Sequence, residues 1–380
     1  MTSSLIKAMT TADAVATVLD ADRLSELLQR PVRAARLRIK PEVSVLVSLT
    51  DRSTGLTVGW ARLLWPVSHS KAAQAERLAA CLGLAQSPIT RSLEEGLLLQ
   101  CGTVLTDPKL AEPLAQATEL GVLGTWEARD VLRYNPSRRL VLRDGATVLR
   151  LRTDGGGPAD EVHRALSGRL PVPGLLDSQA VAQCEGRLSV QQWCGDTNLA
   201  DFHADDAGGA ASAQGLKEAT RRVGALLAAL HSCAGQLPAD LVGRLPHQPA
   251  GSRELAEVHA RQLDVLAPEL ARRVRAVGDM LPSHLSGTPV LTHGLPRPGA
   301  LRVLDRADLA DRLRPGAPGA GGHGPGLLPG GGTVLSAACA AGGLRRAPAR
   351  TGRRGAGVGD RTVPAGATGR PPATGPPVLA

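Results

Sequence analysis

The run Pro289-Val-Leu-Thr-His-Gly294 decides how this chain is read. Val290, Leu291 and Thr292 form a short apolar strand, and His293-Gly294 closes it as a turn. Before this run, apolar residues recur at helix and strand spacings. After it the sequence changes character. From Leu295 to Ala380 there is no Lys, Glu, Gln, Asn, Ile, Met or aromatic residue, and Gly, Ala, Pro and Arg dominate. A segment of that composition buries too little apolar area to offset the entropy lost on ordering it. Residues 295–380 are therefore expected to be a disordered tail.

The same boundary explains the charge. The formal net charge is +9, but twelve Arg and four Asp lie after Gly294, which leaves +1 for the first 294 residues. The basic character belongs to the tail, so the body carries no electrostatic signature of a nucleic-acid binder. The tail also lacks the aromatic interleaving that stacks on bases. Nucleic acid is the least favoured partner on both counts. The hydrophobic fraction, 43% of 380 residues, is ample for about two or three domain cores. Six Cys are scattered without a C-x-x-C pair, so no metal-ligand spacing is present. No signal peptide and no apolar run of membrane-spanning length is legible, and a cytoplasmic protein is the expectation.

Outward from the run, the chain reads as follows. Residues 12–30 carry apolar residues at helical spacing, one amphipathic helix. Val43, Val45 and Val47 alternate as a strand, and the Asp51–Gly55 turn leads into a second strand through Val58, Trp60 and Leu63. A helix over 72–84, two short strands within 96–105 and a helix over 110–120 follow. Leu37-Arg-Ile-Lys-Pro41 before Val45-Leu-Val47 is echoed by Leu132-Arg-Tyr-Asn-Pro136 before Leu140-Val-Leu142. The echo predicts that residues 1–125 hold a smaller copy of a hairpin-bearing lobe. Asp144-Gly145 joins two strands as a hairpin turn. Gly155–Gly157 is a linker, since no Gly-Lys-Ser/Thr follows it. A helix over 159–170, a strand over 188–193, a helix over 216–230 and one long helix over 252–280 complete the body.

The pattern from residue 129 to Gly294 resembles the aminoglycoside phosphotransferase and choline-kinase branch of the protein-kinase-like fold. That family has His-Gly-Asp at the catalytic loop, an amide residue five positions past the Asp, and a later Ile-Asp-Phe-Asp segment. The resemblance implies an α+β, two-lobed protein: a β-rich small lobe over 126–192 and an incomplete helical large lobe over 193–294. The extra α+β lobe over 1–125 precedes them and the tail over 295–380 follows. It implies an ATP-dependent phosphotransferase acting on a small-molecule hydroxyl, with Mg²⁺ as cofactor. His293 would hold the catalytic loop. Arg150 or Arg152 stands where the family has its phosphate-binding strand Lys, and Glu161 stands where it has the helix Glu. The plainer alternative for these residues is a solvated strand arginine and a glutamate favoured by the helix dipole. Trp193-Cys-Gly-Asp-Thr-Asn-Leu199 resembles the hinge that carries the adenine, with Trp193 at its start. The departures are Leu295 at the catalytic Asp position and Ala300 at the metal-binding amide. They imply a chain inactive as written. The second reading is a non-enzymatic, pseudokinase-like binding protein.

The genetic code offers an origin for the departure. Ala310-Asp-Arg-Leu-Arg-Pro-Gly316 can be encoded GCT GAT CGA CTT CGA CCG GGC. Read one base later, the same string gives Leu-Ile-Asp-Phe-Asp-Arg, the family's metal-binding segment. The same shift allows Asp-Phe across Gly294-Leu-Pro and Gln-Val-Leu across residues 298–301. A frameshift near Gly294 is the expectation.

Overall fold

The computed structural model describes residues 9–93, 96–194, 197–198, 210–245, 252–281, 289–292, 301–304, 334–337 and 345–348. It opens with two helices, α1 (Thr11–Leu19) and α2 (Ala21–Leu28), where the sequence reads one. Asp20 makes the break. Its Oδ1 accepts the N–H groups of Asp22 and Arg23 at 3.0 and 3.1 Å, while its own N–H closes α1 on the Ala16 carbonyl. A carboxylate that satisfies the orphan donors of the next helix favours a restart over continuation.

A five-stranded antiparallel sheet follows: β1 (Val32–Lys40), β2 (Ser44–Asp51), β3 (Thr57–Leu64), β4 (Ile89–Ser92) and β5 (Leu98–Gly102), ordered β1-β2-β3-β5-β4. α3 (Ser70–Cys81) joins β3 to β4, and α4 (Ala111–Glu119) leaves the sheet. β4 lies before the 96–105 window in which two strands were expected; only β5 falls inside it.

The second sheet has four antiparallel strands in the order β6 (Val131–Asn135), β7 (Arg139–Asp144), β8 (Thr147–Arg152) and β9 (Leu188–Gln192). Gly145 makes the β7–β8 turn with φ +54°, the conformation a two-residue hairpin requires. α5 (Gly157–Ser167) and α6 (Gln179–Gln183) lie in the β8–β9 connection.

The sequence echo is carried into the hydrogen-bond register. Lys40↔Ser44, Ile39↔Val45 and Arg38↔Leu46 in the first hairpin match Asn135↔Arg139, Tyr134↔Leu140 and Arg133↔Val141 in the second. The offset is constant, 95 residues from Lys40 to Asn135. The third strands agree as well: Leu46↔Arg62 corresponds to Val141↔Arg150. In both lobes a helix follows the third strand, and a later strand pairs with it, as Arg62↔Gln100 and Arg150↔Ser189.

One core runs through both sheets. Leu46, Trp60, Leu110 and Leu114 share it with Tyr134, Leu140, Leu149, Leu151 and Leu188. Asp107 fastens the two sides. Its Oδ2 accepts the Tyr134 hydroxyl at 2.6 Å and the Ser137 N–H at 2.7 Å, and its Oδ1 accepts the N–H groups of Lys109 and Leu110. The carboxylate is completely buried, and burial pushes its pKa up against those four donors.

A second core joins Val162 and Leu166 of α5 to the helical part. Its partners are Leu230 of α7 (Ala210–Ser232), Leu241 of α8 (Ala239–Arg244), Leu237, Leu245, and Leu291 of β11 (Pro289–Thr292). Leu291 is buried, so the strand that precedes His293 is seated in this core. A two-residue strand β10 (Thr197–Asn198) pairs with β12 (Leu301–Leu304), which pairs with β13 (Val334–Ala337); β14 (Arg345–Pro348) pairs with β11. These three four-residue strands stand where the sequence reading expects a tail without structure. Backbone pairing uses groups every non-proline residue carries, so composition does not forecast it. The remaining residues of 295–380 lie outside the described residues.

The chain divides into two compact units, residues 1–248 with 290–347, and residues 249–289 with 348–380. In the smaller unit, α9 (Ser252–Asp264) and α10 (Pro268–Met280) replace the single long helix expected over 252–280. Pro268 opens α10, and the restrained residue before it ends the previous helix region. Arg275 pairs with Glu257 and Asp264 across the two helices. No helix among the described residues is long and apolar enough to cross a membrane.

Candidate functional site

β8 alternates between two faces. Leu149 and Leu151 enter the shared core, and Arg150 and Arg152 lie on the opposite face. Register places Arg139 beside Arg152, with Arg133, Val141, Arg150 and Ser189 in the next row. This face gathers positive charge. The Arg139 guanidinium is pushed down to about 10 by burial first, then by Arg133, Arg150, Arg152 and Arg36.

α5 packs toward this face through its buried residues Asp160, Val162, His163 and Leu166. Arg152 Nη2 pairs with Asp160 Oδ2, and both side chains are buried. Arg152 Nη1 also donates to the Gly156 carbonyl at 3.4 Å. Two atoms of the pair, Arg152 Nε and Asp160 Oδ1, are buried without a hydrogen-bond partner among the described residues. Arg150 is buried too, and its Nη2 donates to Gln191 Oε1 at 3.5 Å. His163 is held by the Pro173 carbonyl at 2.6 Å, and burial pushes its pKa down.

Glu161, expected as the acid that holds the strand arginine, does something else. It is exposed and accepts both guanidinium arms of Arg244, at 2.7 and 2.5 Å. The hydrogen bonds from Arg244 lower its pKa. The carboxylate beside the strand arginine is Asp160, one position earlier. Helix phase carries the signal: Asp160 and His163 are an i, i+3 pair on the buried side, which Glu161 does not share.

Gly155–Gly157 is more than a linker. A Cβ on Gly186 would lie 2.5 Å from the Gly156 nitrogen, so two backbones touch where the chain enters α5. Trp193 follows β9. Its backbone N–H donates to the Ala146 carbonyl at 2.8 Å, and the Arg143 guanidinium sits 4.3 Å from its ring centroid. That N–H is thereby committed within the protein. His293, Leu295 and Ala300 lie outside the described residues.

The described residues fit an anion, and none of their clusters fits a divalent cation. Buried guanidinium groups beside one carboxylate suit a phosphate. Among the described residues no group of three or more His, Cys, Asp or Glu could hold a metal ion. At the position where the resemblance puts the family's metal-binding amide, the sequence carries Ala300, whose side chain has no ligating atom.

A small antiparallel lobe whose third strand presents a cation to the following helix, joined to a helical lobe, is the protein-kinase-like arrangement. The model of the phosphotransferase enzyme family matches residues 119–305, and over this segment the chain is similar to that family. No curated protein matches the chain. The match begins at the last residue of α4 and takes in β6 to β12 and α5 to α10. The first lobe lies almost wholly before it.

Proposed function

We propose that residues 126–192 and 193–294 are the small and large lobes of an aminoglycoside phosphotransferase-like small-molecule kinase. The observation that carries this is the buried Arg152–Asp160 pair inside the family-matched segment. In this reading Arg152 neutralises the phosphates of ATP, Asp160 orients its guanidinium, and Arg150 adds a second positive charge. Trp193 begins the hinge beside the adenine. The substrate is a small-molecule hydroxyl, and His293 holds the remnant of the catalytic loop. ATP would be held by these guanidinium groups, since among the described residues no set of ligands would hold the Mg²⁺ that the family uses to neutralise phosphate charge.

The chain as written does not turn over. Leu295 offers no carboxylate to accept or orient the hydroxyl proton, and Ala300 offers no ligand. Resequencing the coding DNA over residues 289–316 tests the origin of this loss. Extra or missing bases that restore His-Gly-Asp and Ile-Asp-Phe-Asp support a shifted frame; an unchanged frame leaves a truncated large lobe. The function itself is tested by calorimetric titration of the full chain with ATP, alongside an assay of ADP release. Binding that falls by about tenfold or more in Arg152→Gln, with no ADP release, is the expected pair of results. ADP release at a rate typical of kinases, about 1–100 per second, would overturn the inactive reading.

A pseudokinase-like binding protein is the second reading. It is favoured by the retention of Arg152 and Asp160 in a chain without the reacting carboxylate. The lobe of residues 1–125 would then supply the binding surface, with residues 295–380 as an appended tail.

A further inference from the structure

The first lobe carries a cation cluster that the kinase reading does not use. Arg36, Arg38 and Lys40 alternate along β1 and so lie on one face of an edge strand. The Lys40 carbonyl accepts the Val43 N–H at 3.0 Å, and the Val43 carbonyl accepts the Trp65 N–H at 3.3 Å. This sets the end of β1 against the β3–α3 junction. Lys71 is in the first turn of α3, with its Nζ on Ser68 Oγ at 2.9 Å. From the other side, Asp107 accepts the backbone N–H groups of Lys109 and Ser137, which pins Lys109 and Arg138 around one carboxylate.

Electrostatics join these segments into one cluster. Burial first, then Arg138, lowers the pKa of Arg38. Burial, Arg38 and Lys109 lower that of Lys40. Burial, Lys40, Arg62 and Lys109 lower that of Lys71. Among the described residues Arg38, Lys40, Lys71, Lys109 and Arg138 join no ion pair. Glu42, in the β1–β2 turn, joins none either. The acid at the centre, Asp107, is sealed in the core with its oxygens already occupied by four donors.

Like charges held together by a fold repel, and a multiply charged anion offsets that repulsion. We infer that Arg38, Lys40, Lys71, Lys109 and Arg138, where the first lobe meets the β6–β7 turn, form a binding site for a linear oligophosphate. Trp60 and Trp65 nearby are buried, so no aromatic face is offered to a nucleobase, and phosphate alone is the recognised group. Four of the five residues lie before the family-matched segment, and none of the five is a partner of the buried Arg152–Asp160 pair.

The test is calorimetric titration of the full chain with sodium tripolyphosphate, at low salt and at physiological ionic strength. A saturable site, weakened about tenfold or more in Lys109→Gln/Arg138→Gln and unchanged in Glu161→Gln, which alters only an exposed pair, is the expected result. Thermal melting is run in parallel, because an occupied site raises the midpoint of the native chain. Should the double variant fold poorly, Lys40→Gln, at an exposed position, gives the same reading through a smaller weakening. Absence of saturable binding overturns the proposal, as does equal binding by Lys109→Gln/Arg138→Gln and Lys40→Gln. Loss of binding in Arg152→Gln instead moves the anion to the kinase-like site and overturns it too. Binding of a short single-stranded oligonucleotide without binding of tripolyphosphate overturns it in favour of nucleic acid.

Discussion

At the scale of single residues, Asp160 and Glu161 are neighbours with opposite environments. The sequence reading placed the helix acid at Glu161 because it fell in the right turn; the fold put Asp160 against Arg152 because the helix phase buries it. Removing one member of a buried pair leaves the other charge uncompensated, at a cost of about 3 kcal/mol. Asp160→Asn should therefore lower the melting point by several degrees and weaken ATP binding. Glu161→Gln, which leaves the exposed Arg244 with its Asp240 partner, should leave both nearly unchanged. The reverse ranking would return the role to Glu161. Asp51 gives a residue-scale prediction in pH. Its Oδ1 accepts from the Ser53 hydroxyl and N–H and from the Thr54 N–H and hydroxyl in the β2–β3 turn. The Ser53 hydroxyl, then the Thr54 N–H, lower its pKa from 3.8 to about 2. The folded value lies below the ordinary one, so its stabilisation is present above pH 3.8 and lost as pH falls toward about 2. In melts of the native chain and Asp51→Asn, the gap between them should close across that window and stay constant above it.

At the scale of elements, legibility followed burial pattern. β2, β3, β7, β8 and β9 were readable because alternating or continuous Val and Leu face a core. β1 was not named as a strand: on an edge, Arg-Ala-Ala-Arg-Leu-Arg-Ile-Lys needs no apolar face, and only its echo in β6 betrayed it. β4 hid for the same reason, with Ile89 more than half exposed. Helix length was overestimated twice, because apolar periodicity passes through a restart; the cap Asp20 and the first-turn Pro268 carried the correction. Replacing Asp20 with Ala removes two capping bonds, and should cost about 1 kcal/mol in a denaturant titration. The β8–α5 entry depends on Gly186 and Gly156. Gly186 holds φ +73°, and a Cβ there meets backbone, so Gly186→Ala should cost about 1–3 kcal/mol. An alanine variant as stable as the native chain would show that the entry relaxes freely.

At the scale of the whole chain, the sequence reading separates residues 1–125 from the kinase-like body and expects in them a smaller copy of the second lobe. The hairpin register repeats, but the first sheet has five strands and the second four, and the packing ties the two together. Leu46 and Trp60 from the first lobe fill the same core as Tyr134, Leu140 and Leu149 from the second. Asp107 accepts both the Tyr134 hydroxyl and the Ser137 N–H. A chain begun at residue 126 would expose the inner face of the second sheet and strand both groups. Losing a buried hydrogen-bond partner costs about 1–3 kcal/mol for each group, and each buried Leu or Trp side chain left open costs a similar amount. Their sum exceeds or equals the stability of an ordinary domain. Residues 126–380 expressed alone should therefore lack a cooperative melt and bind an apolar dye, while the full chain melts as one transition over the shared core. Cooperative melting of the shortened chain near the native midpoint would show instead that the copy had been added to a lobe already complete.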